Sequence, residues 1–151
     1  MAGYLPEAAT TEAFDAGWYR TGDVGWLEPD GWVHITDRAK EMIKVSGFQV
    51  APAELESVLL RHPAVVDCAV FGVPNDDWGE EVKAAVQLVD GASPGADEEA
   101  DILRHLEVEG VARYKLPRSV DFIEDFPRDP NGKVYKRKLR DPYWEGQERQ
   151  I

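Results

Sequence analysis

The sequence is poor in cysteine and in long apolar segments. Cys68 is the one cysteine among 151 residues, so no internal disulfide can form and a reducing compartment such as the cytoplasm is expected. No apolar run approaches the roughly 20 residues that span a bilayer. The first residues lack the basic and apolar regions of a signal peptide. We therefore expect a cytoplasmic protein without a transmembrane segment.

Positive charge is also scarce. The sequence has 17 Lys and Arg residues against 29 Asp and Glu residues, which gives a net charge of −12 at pH 7. General binding to nucleic acids or anionic membranes requires cations that neutralise phosphates, so this balance argues against both. The composition, 43% hydrophobic and 30% charged, is that of a globular domain rather than a disordered segment.

Apolar periodicity predicts a small α+β domain after residue 36. Apolar segments of strand character occur at residues 40–50, where a hairpin turns at Ser46-Gly47, and at 65–73, 82–89 and 120–123. Helical spacing of apolar residues predicts one helix from Pro52 to about residue 62 and another over 97–108. The expected fold class is thus α+β, a small mixed sheet with packed helices.

The residues before 37 differ in character. Residues 1–17 show little periodicity and are expected to form a surface connection. An aromatic strand at 18–20 and a hairpin around Pro29-Asp30-Gly31 are predicted next, with Trp26 and Trp32 pairing across that turn. These β-hairpin elements are too short for a core of their own, so we expect them to belong to the end of a larger N-terminal domain.

Two polar segments, one before and one at the change of character near residue 37, have both a functional and an ordinary structural interpretation. Asp23, after Thr21-Gly22, could accept hydrogen bonds from the hydroxyls of a ribose, or lie in a polar turn. The pair Asp37-Arg38 could bind hydroxyl or phosphate oxygens through the planar guanidinium, or form a surface ion pair. Neither segment alone decides between the two.

Two glycine-containing turns pose the same choice. In Lys44-Val45-Ser46-Gly47-Phe48, the glycine could allow a ligand to approach the backbone closely, or serve an ordinary hairpin turn. Pro130-Asn131-Gly132-Lys133 places an ammonium on a loop, where it could meet a phosphate or carboxylate or remain solvated. The histidines and Cys68 lack metal-ligand spacing, so no metal site is predicted. Cys68 is expected to be a small core residue on the strand face of Val66 and Val70.

In order and spacing, these segments resemble the C-terminal part of adenylate-forming acyl-CoA synthetases, in particular the fatty-acid–CoA ligases. Residues 17–23 resemble the ribose-binding motif of that family, and residues 30–48 resemble its hinge and the following loop. Residues 52–56 match the helix start that follows, and residues 126–134 resemble the motif with the catalytic lysine. The similarity covers nearly the whole chain.

The resemblance implies an enzyme that activates a carboxylic acid with Mg-ATP and passes the acyl group from the acyl-adenylate to coenzyme A. ATP or AMP, Mg²⁺ and coenzyme A are the implied cofactors. Lys133 would be the catalytic residue of adenylation, Asp23 and Arg38 would bind the ribose, and Asp37 would be the hinge. The remaining implied cofactor-binding residues belong to the loop past which the pantetheine arm would run: Lys44, Ser46, Gly47 and Phe48.

Parts of the family pattern have no counterpart in the chain. A phosphate loop ending in Pro-Lys-Gly, an aromatic-Gly-x-Thr-Glu segment and the acyl pocket are missing. We therefore expect the last part of a longer enzyme, inactive alone, with the large N-terminal domain, a fatty acid and coenzyme A as partners. Residues 1–36 would be the tail end of the large domain, residues 37–142 the small C-terminal domain and residues 143–151 a C-terminal tail.

Other interpretations remain open on the sequence. An acyl-AMP ligase that passes its adenylate to a carrier protein, or an aryl-acid–CoA ligase, would share these motifs. A free-standing, non-catalytic domain that binds a partner protein is a third alternative. If Trp26 and Trp32 are exposed in the chain alone, residues 18–36 would favour a homo-oligomer of the fragment.

Overall fold

The computed structural model describes residues 7–147 and divides the chain into two compact units, Met1–Lys40 and Glu41–Ile151. The first unit contains one helix and four strands in chain order: α1 (Glu7–Ala13), β1 (Phe14–Asp15), β2 (Trp18–Tyr19), β3 (Asp23–Leu27) and β4 (Val33–Arg38). The predicted surface connection of residues 1–17 includes helix α1, which the sequence analysis did not identify. Its alanines and glutamates favour a helix by intrinsic propensity, without the apolar stripe that periodicity detects. What was predicted for residues 1–6 lies outside the described part.

Strands β3 and β4 form the predicted hairpin, but its aromatic pairing differs from the prediction. The Glu28 N–H donates to the Trp32 carbonyl at 2.8 Å, so Trp32 closes the turn and lies before β4. The register places Trp26 opposite His34, and the two rings stack with centroids 4.1 Å apart. The prediction that Trp26 pairs with Trp32 is therefore wrong, because a turn of Pro29-Asp30-Gly31 pairs Glu28 with Trp32 and so places Trp26 opposite His34.

The second unit is built on a five-stranded mixed sheet, as predicted. Its strands are β5 (Ile43–Val45), β6 (Phe48–Val50), β7 (Val65–Asn75), β8 (Gly79–Leu88) and β9 (Ser119–Phe122). The order is β6-β5-β8-β7, and β9 pairs with β8 in the parallel direction while the other pairs are antiparallel. The α+β fold class with a small mixed sheet is confirmed.

Helices cover both faces of this sheet. They are α2 (Pro52–Leu59), α3 (Ala96–Val108), a 3-10 helix (Arg113–Lys115), α4 (Lys136–Arg140) and a C-terminal 3-10 helix (Asp141–Trp144). The main core lies beneath α2 and α3, whose fully buried residues include Leu55, Leu59, Ile102 and Leu106. Within residues 7–147 no helix has the length and apolar character needed to cross a membrane.

Strand β7 is buried on both faces, which explains its nearly continuous apolar sequence. Successive side chains of a strand point to opposite faces. Cys68 and Val70 join the core beneath α2 and α3, whereas Ala69 and Phe71 pack with Phe126 on the other face. A strand covered on both sides has no need of polar alternation.

Cys68 is a core residue, as predicted, but one of its expected neighbours is not. The register between β7 and β8 shifts at Val66, which is exposed, so the bulge turns this side chain away from the core. Burial, with a smaller effect of the Glu56 and Asp67 carboxylates, raises the pKa of the Cys68 thiol to about 12. The thiol is therefore protonated at neutral pH and is not a nucleophile.

The C-terminal 3-10 helix is fastened to the sheet by polar contacts. The Trp144 indole N–H donates to the Gly72 carbonyl at 3.0 Å. The Tyr143 hydroxyl donates to Asp121, which also pairs with the Lys83 ammonium at 2.8 Å. Although burial opposes the charge of Lys83, the hydrogen bond to Asp121 and its negative charge raise the pKa of this lysine above its ordinary value.

Candidate functional site

The structure brings Asp23 and Arg38 together. They are register partners at the open end of the β3–β4 hairpin, and Arg38 Nε lies 3.3 Å from Asp23 Oδ1. The Asp23 N–H donates to the Thr21 hydroxyl at 3.1 Å, and the Ala39 N–H donates to the Gly22 carbonyl at 2.8 Å. These contacts close the polar turn of the sequence and leave a carboxylate beside a guanidinium at its edge.

Asp37, the predicted hinge residue, lies within paired strand β4. It is opposite Val24, and its Oδ1 accepts a hydrogen bond from the Arg38 N–H at 2.7 Å. The chain divides into its two units a few residues later, between Lys40 and Glu41. The hinge at Asp37 stays a prediction.

The segment of Lys44 to Phe48 forms a two-residue turn between β5 and β6. Ser46 and Gly47 have φ values of 49° and 87°, the combination that joins antiparallel strands of natural twist. Such a φ is unusual for serine, and the Ser46 N–H is held by the Trp78 carbonyl at 3.0 Å. A Cβ at Gly47 would meet open space, so within this chain the need for glycine comes from its φ.

A cleft of about 180 Å³ adjoins this turn, and aromatic residues line much of it. The Phe48 and Tyr114 rings lie 5.0 Å apart, and the Arg118 guanidinium lies 4.1 Å from the centre of the Trp78 ring. Aromatic faces beside a cation suit a planar base that carries phosphate. Sequence reasoning missed Trp78, Tyr114 and Arg118. A signal was available for the two aromatic residues, since both lie next to turns and outside any apolar period.

Lys133 lies on a tightly hydrogen-bonded loop. Arg128 and Val134 form an isolated antiparallel bridge, and the Asp129 N–H donates to the Lys133 carbonyl at 2.8 Å. Asp129 Oδ1 accepts hydrogen bonds from the backbone N–H groups of Asn131 and Lys133 at 2.8 and 3.0 Å. The side chain of Asp129 thus fixes the backbone of the lysine from within the loop.

A second contact fastens the same loop to the sheet. Arg128 pairs with Asp67 on β7, and its Nη1 donates to the Gly132 carbonyl at 3.0 Å. By contrast, the exposed ammonium of Lys133 has no hydrogen-bond or ion-pair partner among residues 7–147. An unpaired cation on a fixed backbone is suited to meet an anionic ligand as a point charge.

Three of the four basic residues at positions 136–140 form ion pairs within the second unit. Lys136 lies 2.6 Å from Glu56, Arg137 lies 2.9 Å from Asp141, and Arg140 lies 3.9 Å from Glu41. The basic run therefore balances local acids and offers little free charge for a polyanion.

One group of residues has metal-ligand chemistry, but its hydrogen bonds oppose metal binding. Ligand atoms of His62, Glu98 and Asp101 lie within 4.8 Å of one another. The Ala64 N–H donates to Nδ1 of His62 at 3.2 Å, so the proton of the neutral ring is on Nε2, which lies 3.3 Å from Asp101. A protonated nitrogen cannot bind a metal. The hydrogen bond from Arg104, followed by that from His62, holds the pKa of Asp101 below its ordinary value.

Comparison with known proteins identifies relatives along nearly the whole chain. The profile of the AMP-binding enzyme C-terminal domain matches residues 54–133. The chain is 46% identical over 145 residues to 4-coumarate–CoA ligase-like 9 of Oryza sativa subsp. japonica. It is 44% identical over 138 residues to the long-chain-fatty-acid–CoA ligase FadD13 of Mycobacterium tuberculosis. The ATP-bound crystal structure of MatB from Rhodopseudomonas palustris superposes with a TM-score of 0.83 at 39% identity.

These matches cover most of this chain but a small part of each relative. The alignments include 95% of the chain and 25% of the rice protein, and 91% of the chain and 26% of the mycobacterial ligase. For MatB the shares are 97% and 29%. The chain thus spans about a quarter of the length of the relatives it matches.

Proposed function

Since the chain belongs to the AMP-binding enzyme C-terminal domain family of adenylate-forming acyl- and aryl-CoA ligases, we propose that it is the C-terminal part of a fatty-acid–CoA ligase. The whole enzyme would join a carboxylic acid to AMP and then to coenzyme A. The observation that carries this proposal is the unpaired Lys133 ammonium on a loop fixed by Asp129 and Arg128. The buried single cysteine supports a reducing, cytoplasmic location.

Lys133 is proposed to act in the first half-reaction. There a carboxylate oxygen bonds to the α-phosphorus of ATP, the bond to the bridging oxygen breaks, and pyrophosphate leaves. Negative charge gathers on the phosphoryl oxygens between the entering and leaving groups. A preorganised ammonium aimed at that charge stabilises the transition state more than the ground state.

The remaining nucleotide contacts are proposed for the β3–β4 hairpin. Asp23 uses one oxygen for Arg38, so its second oxygen is available to a ribose hydroxyl, and the guanidinium can donate to the same sugar. Apart from the hydrogen-bonded group of His62, Glu98 and Asp101, the described residues offer no cluster of three potential metal ligands. Mg²⁺ would accordingly enter with the ATP phosphates, as it usually does in phosphoryl-transfer enzymes.

Coenzyme A is proposed to bind along the turn formed by Lys44, Ser46, Gly47 and Phe48. The aromatic cleft beside the turn would take the nucleotide end, with the Arg118 cation near its phosphates. In the second half-reaction the thiol sulfur bonds to the acyl carbonyl carbon, the thiol proton is lost, and AMP leaves. A glycine at the turn keeps the backbone free of a side chain where the pantetheine arm would pass.

The division of labour within the chain is part of the same proposal. Residues 1–36 are assigned to the end of the large domain, residues 37–142 to the small domain and residues 143–151 to a tail, with Asp37 as the hinge. The partner is the large N-terminal domain. Relatives of similar identity are named for a coumarate and for a long-chain fatty acid. An aryl-acid ligase and a ligase with a carrier-protein acceptor are the alternatives.

The first prediction is that the chain needs an upstream partner for catalysis. We would compare the 151-residue chain with a joined protein, in which it replaces the matching C-terminal part of the mycobacterial FadD13 ligase. With Mg-ATP and a panel of fatty and aryl acids, the joined protein should release pyrophosphate and, after addition of coenzyme A, form acyl-CoA. The chain alone should release none above the blank, because the sequence contains no phosphate loop or acyl pocket.

Each outcome of this experiment separates the alternatives. Pyrophosphate release by the chain alone would contradict the proposed division of labour. Formation of adenylate without transfer to coenzyme A would favour a carrier-protein acceptor. A joined protein without activity, despite a folded chain and an active parent ligase, would favour a non-catalytic domain that binds a partner. The acyl pocket of the joined protein comes from the mycobacterial ligase. A measurement of acid specificity would therefore need the large domain that we propose precedes this chain.

A second prediction concerns the state of the isolated chain. Trp18 and Trp32 are 81% and 71% exposed, and Trp26, Val33 and Ile35 are also exposed in the same unit. Large exposed apolar patches favour self-association. We propose that the isolated chain forms a homo-oligomer through residues 18–36. Light scattering should show a mass above 16.9 kDa that falls towards that value when Trp18 and Trp32 are changed to serine. A monomer at high concentration would contradict the proposal.

A further inference from the structure

A buried carboxylate supports the hairpin that carries the Ser46-Gly47 turn. Glu80 in β8 is 4% exposed, and its Oε2 accepts a hydrogen bond from the Lys44 N–H at 3.1 Å. Glutamate is rarely buried to this extent unless its carboxylate is hydrogen-bonded, because desolvation of an unpaired carboxylate is costly. The burial of Glu80 is therefore explained by its hydrogen bond to the backbone of the hairpin.

The contact lies where the backbone pairing of β5 and β8 ends. The strands pair at Val45 opposite Gly79, and on one side of this pair the Ser46 N–H donates to the Trp78 carbonyl at 3.0 Å. On the other side, the N–H of Lys44 is met by the buried carboxylate instead of a backbone carbonyl. One side chain thus continues the attachment of β5 where the backbone ladder stops.

Strand β7 leaves space for this carboxylate at Gly72. A Cβ at Gly72 would lie 2.3 Å from Oε2 of Glu80 and 2.9 Å from Cγ2 of Ile43, both closer than such atoms can approach. The φ of Gly72 is not in the left-handed region, so alanine here would fit the backbone conformation but would displace the Glu80 carboxylate. The absence of a side chain at this position and the buried carboxylate form one arrangement.

We infer that Glu80 is a positioning residue for coenzyme A, because it fixes the backbone of the turn past which the pantetheine arm would run. The inference rests on the proposed function. Ser46 adopts a positive φ that non-glycine residues hold only when their surroundings impose it. Loss of the Glu80 contact releases the adjacent Lys44 N–H, and the turn relaxes. The Lys133 loop is fixed by other residues and keeps its geometry.

The test compares three variants in the joined protein. Glu80→Ala removes the acceptor, and Gly72→Ala displaces the carboxylate while leaving it in the chain. Both should raise KM for coenzyme A about tenfold, the cost of one hydrogen bond to a charged group, with adenylate formation unchanged. Glu80→Gln should stay close to the unsubstituted protein, because its amide oxygen can accept the same hydrogen bond. Equal losses in both half-reactions would overturn the inference.

Glu99→Ala is the matched control. The Glu99 side chain also accepts a hydrogen bond from a strand backbone, the Val120 N–H of β9 at 2.9 Å. Its loss should lower the melting temperature to a similar extent as Glu80→Ala without a change in KM for coenzyme A. If both variants raise KM equally, the effect of Glu80 is general destabilisation, and the inference is overturned.

A measurement on the 151-residue chain separates this inference from the proposed function. Amide hydrogen exchange should become about tenfold faster at Lys44 in Glu80→Ala and Gly72→Ala, and stay unchanged at Lys133. Unchanged exchange at Lys44 would overturn the positioning role whatever the catalytic results. A joined protein that makes no acyl-CoA with the unsubstituted chain would overturn the proposed function, and the exchange result would then decide the positioning of the turn alone.

Discussion

Lys133→Ala in the joined protein is expected to slow acyl-adenylate formation by about 10²- to 10³-fold, the usual effect of removing one group aimed at developing charge. The rate should fall because the charge aimed at the phosphoryl oxygens is lost. Among residues 7–147 the ammonium pairs with no acid, so its removal leaves no buried charge without a partner. Folding should be unaffected. The measurement is single-turnover formation of acyl-AMP and pyrophosphate with saturating Mg-ATP.

The companion measurement uses supplied acyl-adenylate and coenzyme A. Transfer to coenzyme A should proceed at nearly the unsubstituted rate, because the proposed role of Lys133 ends when pyrophosphate leaves. Lys138→Ala is the control, since Lys138 is also an exposed lysine and contacts only the nearby Tyr135 ring among the contacts seen in the described chain. A similar loss in Lys138→Ala, or an equal loss in both half-reactions of Lys133→Ala, would contradict the assignment.

The parts of the fold that the sequence predicts are those set by neighbouring residues. The Ser46-Gly47 turn and the apolar segment of β7 carry their own signals, because turn chemistry and strand burial act within a few residues. Exceptions arise where a local signal has two outcomes. The Pro29-Asp30-Gly31 signal marks the turn but not which residues pair across it, and the bulge at Val66 reverses the direction of one side chain without a change in composition.

The candidate site is less accessible to sequence reasoning, because its supporting contacts join distant residues. Lys133 is identified by its motif, but the Arg128 partner on β7 is 61 residues away, and Glu80 is 36 residues from Lys44. Glutamate beside glutamate in β8 looks like a solvated surface until the sheet buries one of the two. Such pairs are created by the topology, which composition and periodicity do not specify.

Asp129→Ala is expected to slow adenylate formation about 10- to 100-fold by loosening the loop that carries Lys133. The Asp129 carboxylate accepts two backbone hydrogen bonds, from Asn131 and Lys133. Hydrogen bonds to charged groups contribute about 1.5–3 kcal/mol each. An ammonium on a freed backbone spends part of its time away from the phosphoryl oxygens, so the loss should be smaller than that of Lys133→Ala. Single-turnover kinetics measure the loss of adenylation rate, and amide exchange at Lys133 measures the loosening of its backbone.

Two further variants make the interpretation specific to the loop. Asp129→Asn keeps an oxygen that can accept both hydrogen bonds, so it should restore most of the rate. Asp125→Ala removes one exposed carboxylate shortly before the loop and should have no effect, which controls for the change in net charge. If Asp129→Ala accelerates amide exchange at Lys133 without slowing adenylation, the fixed backbone is not needed for catalysis. The lysine would then act as a mobile cation rather than as a preorganised one.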